Sequence, residues 1–421
     1  MNPPGPGSPA ATRHPPHPFL YTVLIAPFGA TFGFVSVALA FLATRKGLTV
    51  AQGAELIAVG MFPNVWKFFL APLADTTLTR KRWYLLSCIL CAAGMFAMAA
   101  VSLGPSTLGL MGVIVLVTSV AATFLGFAVE AMIAHLTPAA DRGRVSGWFQ
   151  AGNLGGVGLG GGAGLWLLTN LPAGWQTGLV LAALTLGCAA VLPLLPDVVA
   201  EPRDGSLAGA IRAVAVDIWQ VIRSRDGVLC AVLCFVPVGT GAAAGVLTQA
   251  EVAAFWGVGA HEVELVQGLL TGVISMVGCL IGGYGCRFFG ARTAYVVYGA
   301  IMASVTAAMA VAPANPATYM IFSLAYALVT GFCYAAFSGF VFDAIGAGNA
   351  ATKYNGFASL SNTPIWYMGL LLAAAEILLG PKNMLLTESA CGVLGILGFA
   401  TALLLWRPQP ARAVAAEPVS T

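Results

Sequence analysis

The feature that most constrains this chain is a series of apolar stretches, each long enough to cross a lipid bilayer. A membrane-spanning α-helix needs about 20 predominantly apolar residues. The sequence therefore predicts twelve spanning helices, at 19–44, 54–77, 83–103, 107–137, 144–170, 174–195, 227–252, 262–286, 292–312, 316–346, 352–379 and 385–406. Because 59% of the residues are hydrophobic and only 8% are charged, a soluble protein of two or three domains is excluded. We expect an all-α membrane protein.

Three segments fall outside the predicted spans. Residues 1–18 and 407–421 are rich in proline or small residues, and we interpret both as disordered cytoplasmic tails rather than as a signal peptide. Residues 196–226 form a linker, in which 207–222 alternates apolar and polar residues with helical period. This pattern predicts an amphipathic helix on the membrane surface, between a bundle over 19–195 and a second bundle over 227–406.

The basic residues predict the orientation of the chain. Fifteen lysines and arginines fall on the side of the two termini, whereas only Arg45, Lys46 and Lys382 fall on the opposite side. Cytoplasmic loops of membrane proteins carry an excess of Lys and Arg, so both termini are predicted to be cytoplasmic. The chain contains no Asn-x-Ser/Thr acceptor, in agreement with a bacterial inner membrane, where we expect a multi-pass monomer. A net charge of +3 does not point to a nucleic-acid partner.

Neither the cysteines nor the glycines indicate a cofactor or metal. The nine cysteines are scattered through apolar segments, and Cys88/Cys91 and Cys230/Cys234 have no histidine or carboxylate nearby to complete a metal site. The glycine-rich run 152–164 mimics a nucleotide-binding loop, but it follows no predicted strand and lies inside the fifth helix. We interpret it as a small-residue face for close helix packing.

The two halves of the sequence resemble each other at a constant offset. The run from Asp75 to Arg82 after the second span corresponds to Gly282–Arg292 after the eighth, and Glu130-Ala corresponds to Asp343-Ala. Both pairs are displaced by about 211–213 residues, half the chain. Two parallel six-helix repeats of this kind resemble the major facilitator superfamily, which implies twelve transmembrane helices in two six-helix pseudo-repeats.

A subgroup of that superfamily has a similar motif. Residues 67–75, Lys-Phe-Phe-Leu-Ala-Pro-Leu-Ala-Asp, are similar to the Lys-Phe-Leu-Trp-Ser-Pro-Leu-x-Asp run of the AmpG-type muropeptide permeases and the acetyl-CoA transporters. Glu130-Ala with the following Asp141-Arg-Gly-Arg144 resembles their fourth helix and loop, although the first acid of that helix is missing here. Cys286 stands where the second loop copy is expected to carry an Asp.

The resemblance implies a proton-driven secondary transporter with alternating access that imports a bulky, partly anionic solute such as a peptidoglycan fragment. An iron–siderophore or coenzyme-linked metabolite permease, or a drug or metabolite exporter, is the alternative. A membrane enzyme would need a His-based or paired-acid site at an interface, and the sequence shows no such cluster. We therefore expect no enzymatic activity, and a scaffold or receptor is the remaining rival.

Lys67 is the most informative single residue, because it is a cation within an apolar span. Such a charge is costly in lipid and usually faces a partner, a cavity or a substrate. We expect its ammonium to face a central cavity and to attract a carboxylate or phosphate of the substrate. The alternatives are an ion pair with an intramembrane acid or snorkelling to the membrane surface. Asn64, one turn earlier, is a second candidate substrate ligand.

Glu130 and Asp343 are the candidate proton-coupling residues. They occupy equivalent positions in the fourth and tenth spans, about two turns from the cytoplasmic boundary. A carboxylate in a low-dielectric cavity readily exchanges a proton. The alternative is that each acid pairs with a nearby cation, Arg142, Arg144 or Lys353, as a gate.

Two further groups complete the predicted site. The charged residues at the cytoplasmic boundary are expected to hold the inward face shut as gating residues: Asp75, Arg80, Arg82, Arg142, Arg144, Arg287 and Arg292. Polar and aromatic residues in the fifth, tenth and eleventh spans are expected to bind substrate, with a packing hydrogen bond as the alternative for the first two: Gln150, Asn153, Tyr334, Asn355, Ser359, Asn362 and Trp366. The last four recur on one helical face, which favours a wet cavity over a polar neighbour.

Overall fold

A computed structural model describes residues 15–198, 207–346 and 348–405. The predicted tails at 1–18 and 407–421 therefore lie almost entirely outside the described residues, as does part of the linker at 199–206. Within the described ranges the chain is helical and forms two six-helix halves, which confirms the predicted fold class.

The first half contains spans 1 to 6. Span 1 consists of Phe19–Gly33, a π-helical turn Phe34–Leu39, and Ala40–Arg45. Spans 2, 3 and 4 are Val50–Thr76, Arg80–Ala100 and Leu108–Leu136. Span 5 follows a short 3₁₀ helix, Ala139–Asp141, and consists of Arg142–Gly158, a π-helical turn Leu159–Ala163, and Gly164–Asn170. Span 6 is Gly174–Cys188 with a 3₁₀ extension, Ala189–Leu194.

The linker helix and spans 7 to 12 follow. The linker helix is Leu207–Arg223, where the periodicity predicts it. Span 7 comprises Arg225–Phe235, Ala243–Leu247 and Ala250–Ala254. Span 8 comprises Ala260–Val263, a π-helical turn Glu264–Leu270, and Thr271–Phe289. Spans 9 to 12 are Ala291–Val311, Pro316–Ile345, Ala350–Leu379 and Pro381–Leu405.

Ten helices in the described ranges are long and apolar enough to cross a membrane by length and composition. The other two predicted spans are span 5, which is rich in glycine, and span 7, which is divided into short helices. Twelve spans are thus consistent with the fold.

Several spans begin at a side-chain cap. Thr49 starts span 2 with a capping box. Its hydroxyl accepts a hydrogen bond from the Gln52 N–H, and the Gln52 side-chain oxygen accepts one from the Thr49 N–H. Asn315 caps span 10 by accepting from the Thr318 N–H at 2.9 Å, and Pro316 occupies the first turn. These caps satisfy N–H groups that the helix itself leaves free.

Span 7 differs from the sequence prediction. The expected continuous helix over 227–252 is wrong, because the chain leaves helical geometry between Phe235 and Ala243. Pro237 lacks a backbone N–H, and Gly239 and Gly241 have φ of +61° and +71°, a left-handed geometry that glycine adopts without strain. We call residues 236–242 the span 7 break. Non-helical backbone at membrane depth is tolerated where protein surrounds it.

Two of the contact regions between the halves differ in composition. The first joins spans 2 and 4 to span 11, and we call it the polar seam after its bonded residues Asp75, Glu130, Thr352 and Asn355. The second joins span 5 to span 8, and we call it the glycine seam. Its glycines are Gly143, Gly147, Gly158, Gly272 and Gly283. The polar seam lies near one end of the bundles, the end that carries Arg80, Arg142, Arg292 and Lys353, which we call the basic end.

Candidate functional site

Asp75 links the two halves at the basic end. This carboxylate is at the last turn of span 2 and is 3% exposed. Its Oδ2 accepts hydrogen bonds from the backbone N–H of Thr352 at 2.8 Å and from the Thr352 hydroxyl at 2.7 Å. Because Thr352 lies in the first turn of span 11, an acid of one half caps a helix of the other half. The helix dipole of span 11 favours a negative charge at this position.

Arg80 accompanies this contact from within the first half. Its guanidinium lies 3.6 Å from the Asp75 carboxylate and also donates to the Asp75 carbonyl oxygen. The carboxylate therefore carries hydrogen bonds from span 11 on one side and faces a cation on the other. Bonds to an ionised group are about twice as strong as neutral ones, so this contact favours the closed basic end.

Glu130 makes the second bond of the polar seam. It lies in span 4 and is 7% exposed, and its Oε2 accepts from the Asn355 side-chain amide at 2.5 Å. The same amide donates to the Ala351 carbonyl oxygen at 2.8 Å, which fixes its orientation on span 11. Asn355, predicted as a substrate ligand, is thus fully buried in the seam.

Lys67 lies on span 2, nine residues before its end at the basic side, a distance of about 14 Å along the helix axis. Its side chain is half-buried and interacts electrostatically with Glu130. Among the described residues it forms neither an ion pair nor a hydrogen bond. A cation at this depth without a direct partner is available to an incoming anion.

A chain of side-chain hydrogen bonds crosses between spans 5 and 10. The Asn153 amide donates to the Gln150 side chain at 2.9 Å, and the Gln150 amide donates to the Ser338 hydroxyl at 2.6 Å. Ser338 shares a further bond with the Tyr354 hydroxyl at 2.7 Å, which brings in span 11. Gln150 and Asn153, predicted as substrate ligands, therefore bond to protein groups in this conformation.

The polar face of span 11 changes from buried to exposed along its length. Asn355 is fully buried, and Ser359 is half-buried with a hydroxyl oxygen that bonds to no described group. Asn362 is exposed, and Trp366 is 67% exposed. These residues share one helical face, and the exposure of that face increases along span 11 away from the basic end. Tyr334 of span 10 is half-buried against Cys279 and Ala335.

Asn64 lines a small recess within the first half. The recess lies between spans 1, 2 and 4 and is lined by Phe28, Thr31, Phe32, Val35, Gly60, Asn64, Ser119 and Ala122. Asn64 lies one turn from Lys67 on the same helix, so both face the interior side of span 2.

The predicted gating residues other than Asp75 and Arg80 divide into three groups. Arg142 pairs with Asp343 across the halves at 3.7 Å, whereas Lys353, the cation near Asp343 in sequence, pairs with Asp217 of the linker helix. Arg144 and Arg292 pair within their own halves, with Asp141 at 4.0 Å and with Asp226 at 2.8 Å.

Arg82 and Arg287 are exposed. The Arg287 guanidinium lies over the Tyr284 ring of its own helix. The structure therefore brings Asp75, Arg80, Arg142 and Asp343 to the boundary between the halves and leaves the other four gating residues outside it.

Two sets of polar residues were not predicted from the sequence. Asp217 of the linker helix accepts from Lys353 at 3.1 Å and from Asn349 at 3.1 Å, so the linker is tied to the start of span 11. Glu388 of span 12 is 5% exposed and bonds to the Tyr326 hydroxyl at 2.6 Å. A lone carboxylate within a spanning segment indicates a functional site, and the sequence of span 12 already shows Glu388 as such a residue.

No group of three or more His, Cys, Asp or Glu side chains within the described ranges is arranged to hold a metal ion. The charged groups at the boundary between the halves include the carboxylates of Asp75 and Glu130 and the guanidinium of Arg142.

Residues 19–374 match the sequence profile of the Major Facilitator Superfamily. No curated protein sequence matches the chain significantly. Among solved structures, the E. coli fucose:proton symporter FucP is similar with a TM-score of 0.67 at 15% identity, over 91% of this chain and 98% of that one. The proton:xylose symporter XylE has a TM-score of 0.64 at 14% identity, over 91% and 95%. The human organic anion transporter MFSD10 (TETRAN) has a TM-score of 0.64 at 17% identity, over 91% and 99%.

Proposed function

Since the chain belongs to the major facilitator superfamily, a family of multi-pass membrane transporters, we propose that it is a proton-coupled secondary transporter. It imports a bulky, partly anionic organic solute, of the peptidoglycan-fragment type, by alternating access across the inner membrane. The observation that carries this proposal is Lys67, a half-buried intramembrane cation without a direct partner among the described residues.

The orientation follows from the charges. Fifteen basic residues lie on the side of the termini, so the basic end faces the cytoplasm and the exposed part of the polar face of span 11 lies towards the outside. In this conformation the polar seam closes the cytoplasmic side. Substrate reaches Lys67 from the outside, where Asn362 and Trp366 are exposed.

The charges of Lys67 and Glu130 support coupling to a proton. Together they sum to zero, and an isolated buried charge is unfavourable in a low-dielectric interior. When a substrate anion binds Lys67 and a proton binds Glu130, the sum remains zero. Protonated Glu130 also loses the charge that strengthens its bond to Asn355, so the polar seam weakens when both ligands are bound. Glu130 is favoured over Asp343 as the coupling acid, because Asp343 already pairs with Arg142.

The similarity to MFSD10, described as an organic anion transporter, supports an anionic solute, and those to the fucose and xylose proton symporters support coupling to protons. The motif at 67–75 supports the muropeptide class. A thermal-shift screen with a muropeptide, a ferric siderophore and a coenzyme A thioester separates this class from the alternatives.

The proposal is tested by uptake of a labelled muropeptide into proteoliposomes under an imposed pH gradient. Lys67→Ala is expected to abolish uptake, because the anion loses its counter-charge. Glu130→Gln is expected to retain exchange of labelled for unlabelled solute but to lose accumulation driven by the gradient.

Lys382→Ala is the matched control, because this lysine donates to the Ala312 carbonyl oxygen at the far end of the bundle and should leave uptake unchanged. Uptake at the wild-type level by the Lys67 variant would refute the substrate-anchoring role. Accumulation driven by pH in the Glu130 variant would refute the coupling role.

A further inference from the structure

The span 7 break is held on both sides by side chains from other helices. On one side the Tyr295 hydroxyl of span 9 donates to the Val238 carbonyl oxygen at 2.6 Å. On the other side the N–H of Ala243, where the helix resumes, points to the Tyr326 hydroxyl at 3.2 Å and to Glu388 Oε1 at 3.3 Å. The geometry of span 7 beyond the break therefore depends on spans 10 and 12.

Among the described residues, Glu388 is the only acid bonded to Ala243, where span 7 resumes after the break, and its two oxygens differ. Oε1 accepts from the Tyr326 hydroxyl at 2.6 Å and from the Ala243 N–H at 3.3 Å. Oε2 is buried and has no hydrogen-bond partner in the described part of the chain. No lysine or arginine within the described ranges pairs with this carboxyl. A buried carboxylate with one oxygen fully bonded and the other free is a site where a proton is the missing ligand.

The surrounding titratable groups do not supply a counter-charge. Tyr326 and Cys333 face this region from span 10, and Cys391 lies near Glu388 on its own helix. Tyr367 of span 11 faces Cys391 in turn. All of them are neutral groups at physiological pH, so the charge of Glu388 is balanced only by hydrogen bonds.

We propose that Glu388 is a second proton-binding site, which controls the segment of span 7 beyond the break. As a carboxylate it accepts strong bonds from Tyr326 and from the restart of the helix, and it holds residues 243–247 in place. A proton from solution that binds Oε2 makes the group neutral and weakens these bonds, because hydrogen bonds to a charged acceptor are the stronger ones.

The released segment leads directly to the outer side of the bundle. Residues 243–254 lie between the break and the loop before span 8, and Gly245 and Thr248 on this segment are exposed. Protonation of Glu388 therefore frees the outer part of span 7 to move towards the first half. This links a proton in the second half to the outer gate, whereas Glu130 links a proton to the inner seam.

This site deepens the proposed function, since it adds an outer gate control to a transporter driven by protons. Its test uses hydrogen–deuterium exchange of the full chain in lipid nanodiscs, at mildly acidic and mildly alkaline pH, with rates corrected for intrinsic exchange. In the wild type, amides at 243–247 are expected to exchange about tenfold faster at the acidic pH, the effect of losing one charge-assisted bond. Amides in span 9 serve as the internal reference.

Glu388→Gln is expected to give the fast exchange of residues 243–247 at both pH values, because the amide is neutral at both. Glu376→Gln is the matched control and should retain the pH response, since within the described ranges this acid of span 11 does not bond to the break. Tyr326→Phe removes the other side chain bonded to the restart and should raise exchange at both pH values.

Three results would overturn the proposal. They are a wild-type segment that exchanges equally at both pH values, a Glu388→Gln variant that keeps the response, and a response produced by sodium ions at constant pH. None of these measurements depends on uptake. The Glu388 proposal can therefore be refuted while the Lys67 and Glu130 variants behave as proposed. It can also be supported while the results for those two variants refute the proposed transport function.

Discussion

The polar seam and the glycine seam join the halves through different kinds of contact. In the polar seam, Asp75 and Glu130 reach across to Thr352 and Asn355 through hydrogen bonds. In the glycine seam the backbones themselves are in contact. A Cβ added to Gly147 would lie 2.6 Å from the Cys279 carbonyl oxygen and 2.8 Å from Gly283 Cα, and Gly158 faces Gly272 as closely.

The difference indicates which contact opens during transport. Water replaces hydrogen-bond partners at low cost, so a polar contact separates without leaving unsatisfied groups. A glycine contact is stabilised by close packing of the backbones and loses that packing as soon as it separates. We therefore expect the glycine seam to persist through the cycle as a pivot, while the polar seam breaks and forms again.

The difference between the two seams is also seen at equivalent positions of the two repeats. Asp75 and Cys286 occupy matching places, at the basic ends of spans 2 and 8. The Asp75 carboxylate caps span 11. The Cys286 side chain instead packs closely on span 5, where a Cβ added to Gly143 would lie 2.7 Å from the Cβ of Cys286. An acid in one repeat and a small thiol in the other thus give one hydrogen-bonded contact and one closely packed contact.

The largest expected effect comes from filling the glycine seam. In Gly283→Val the new Cβ would lie 2.5 Å from Gly147 Cα, and its nearest neighbours are backbone atoms that cannot move aside. We expect a loss of about 3 kcal/mol or more of stability, at the upper end for an overpacked interior, and loss of uptake. Thermal unfolding of the purified protein in detergent measures the loss of stability, and transport into proteoliposomes measures the loss of uptake.

The matched control is Gly369→Val, because Gly369 is also inside a span and a Cβ there meets no described atom within 4 Å. It should unfold within a few degrees of the wild type. Equal unfolding temperatures for the two variants would show that the glycine seam is not tightly packed. They would contradict the expectation that this seam persists through the cycle as a pivot.

An intermediate effect is expected from the polar seam. Asp75→Asn keeps the shape of the side chain but removes the charge that caps span 11. The loss of charge-assisted bonds should raise the hydrogen exchange of amides 350–355 about tenfold and lower uptake, with little change in unfolding temperature. Asp197→Asn is the control, since that carboxylate is 86% exposed and pairs with Lys81 at the surface. Protection of residues 350–355 that is unchanged in the Asp75 variant would contradict the capping role.

Much of this fold was predictable from the sequence, because spanning helices follow from apolar length alone. The break in span 7 was missed although Pro237, Gly239 and Gly241 are visible in the sequence. Counting apolar residues measures whether a segment can cross the bilayer, but it does not measure whether the backbone remains helical on the way. The two glycines with positive φ lie against Tyr295 of span 9 and Cys333 and Thr330 of span 10, which are far away in sequence.

The site was predictable only as a set of candidates. The charge of Lys67 and the repeat offset of Glu130 pointed to the boundary between the halves, and their roles remain predictions. Sequence spacing showed that Asn355 and Trp366 share a helical face, but it did not show that one is buried against Glu130 and the other exposed. That difference depends on which helices pack against each part of span 11, and the partner of Asn355, Glu130, lies far away in sequence.

The smallest expected effect separates the two equivalent acids. Asp343 lies at the edge of the polar seam, where its side chain is 42% exposed and its oxygen is 3.7 Å from Arg142. Ion pairs of this exposure contribute about 0.2–1 kcal/mol, so Asp343→Asn should change the exchange of amides 350–355 by less than about fivefold and should keep pH-driven uptake. Glu130→Gln, measured alongside, should lose that uptake. If the Asp343 variant loses accumulation and the Glu130 variant keeps it, the proton is carried at the edge of the seam, and the two acids exchange their proposed roles.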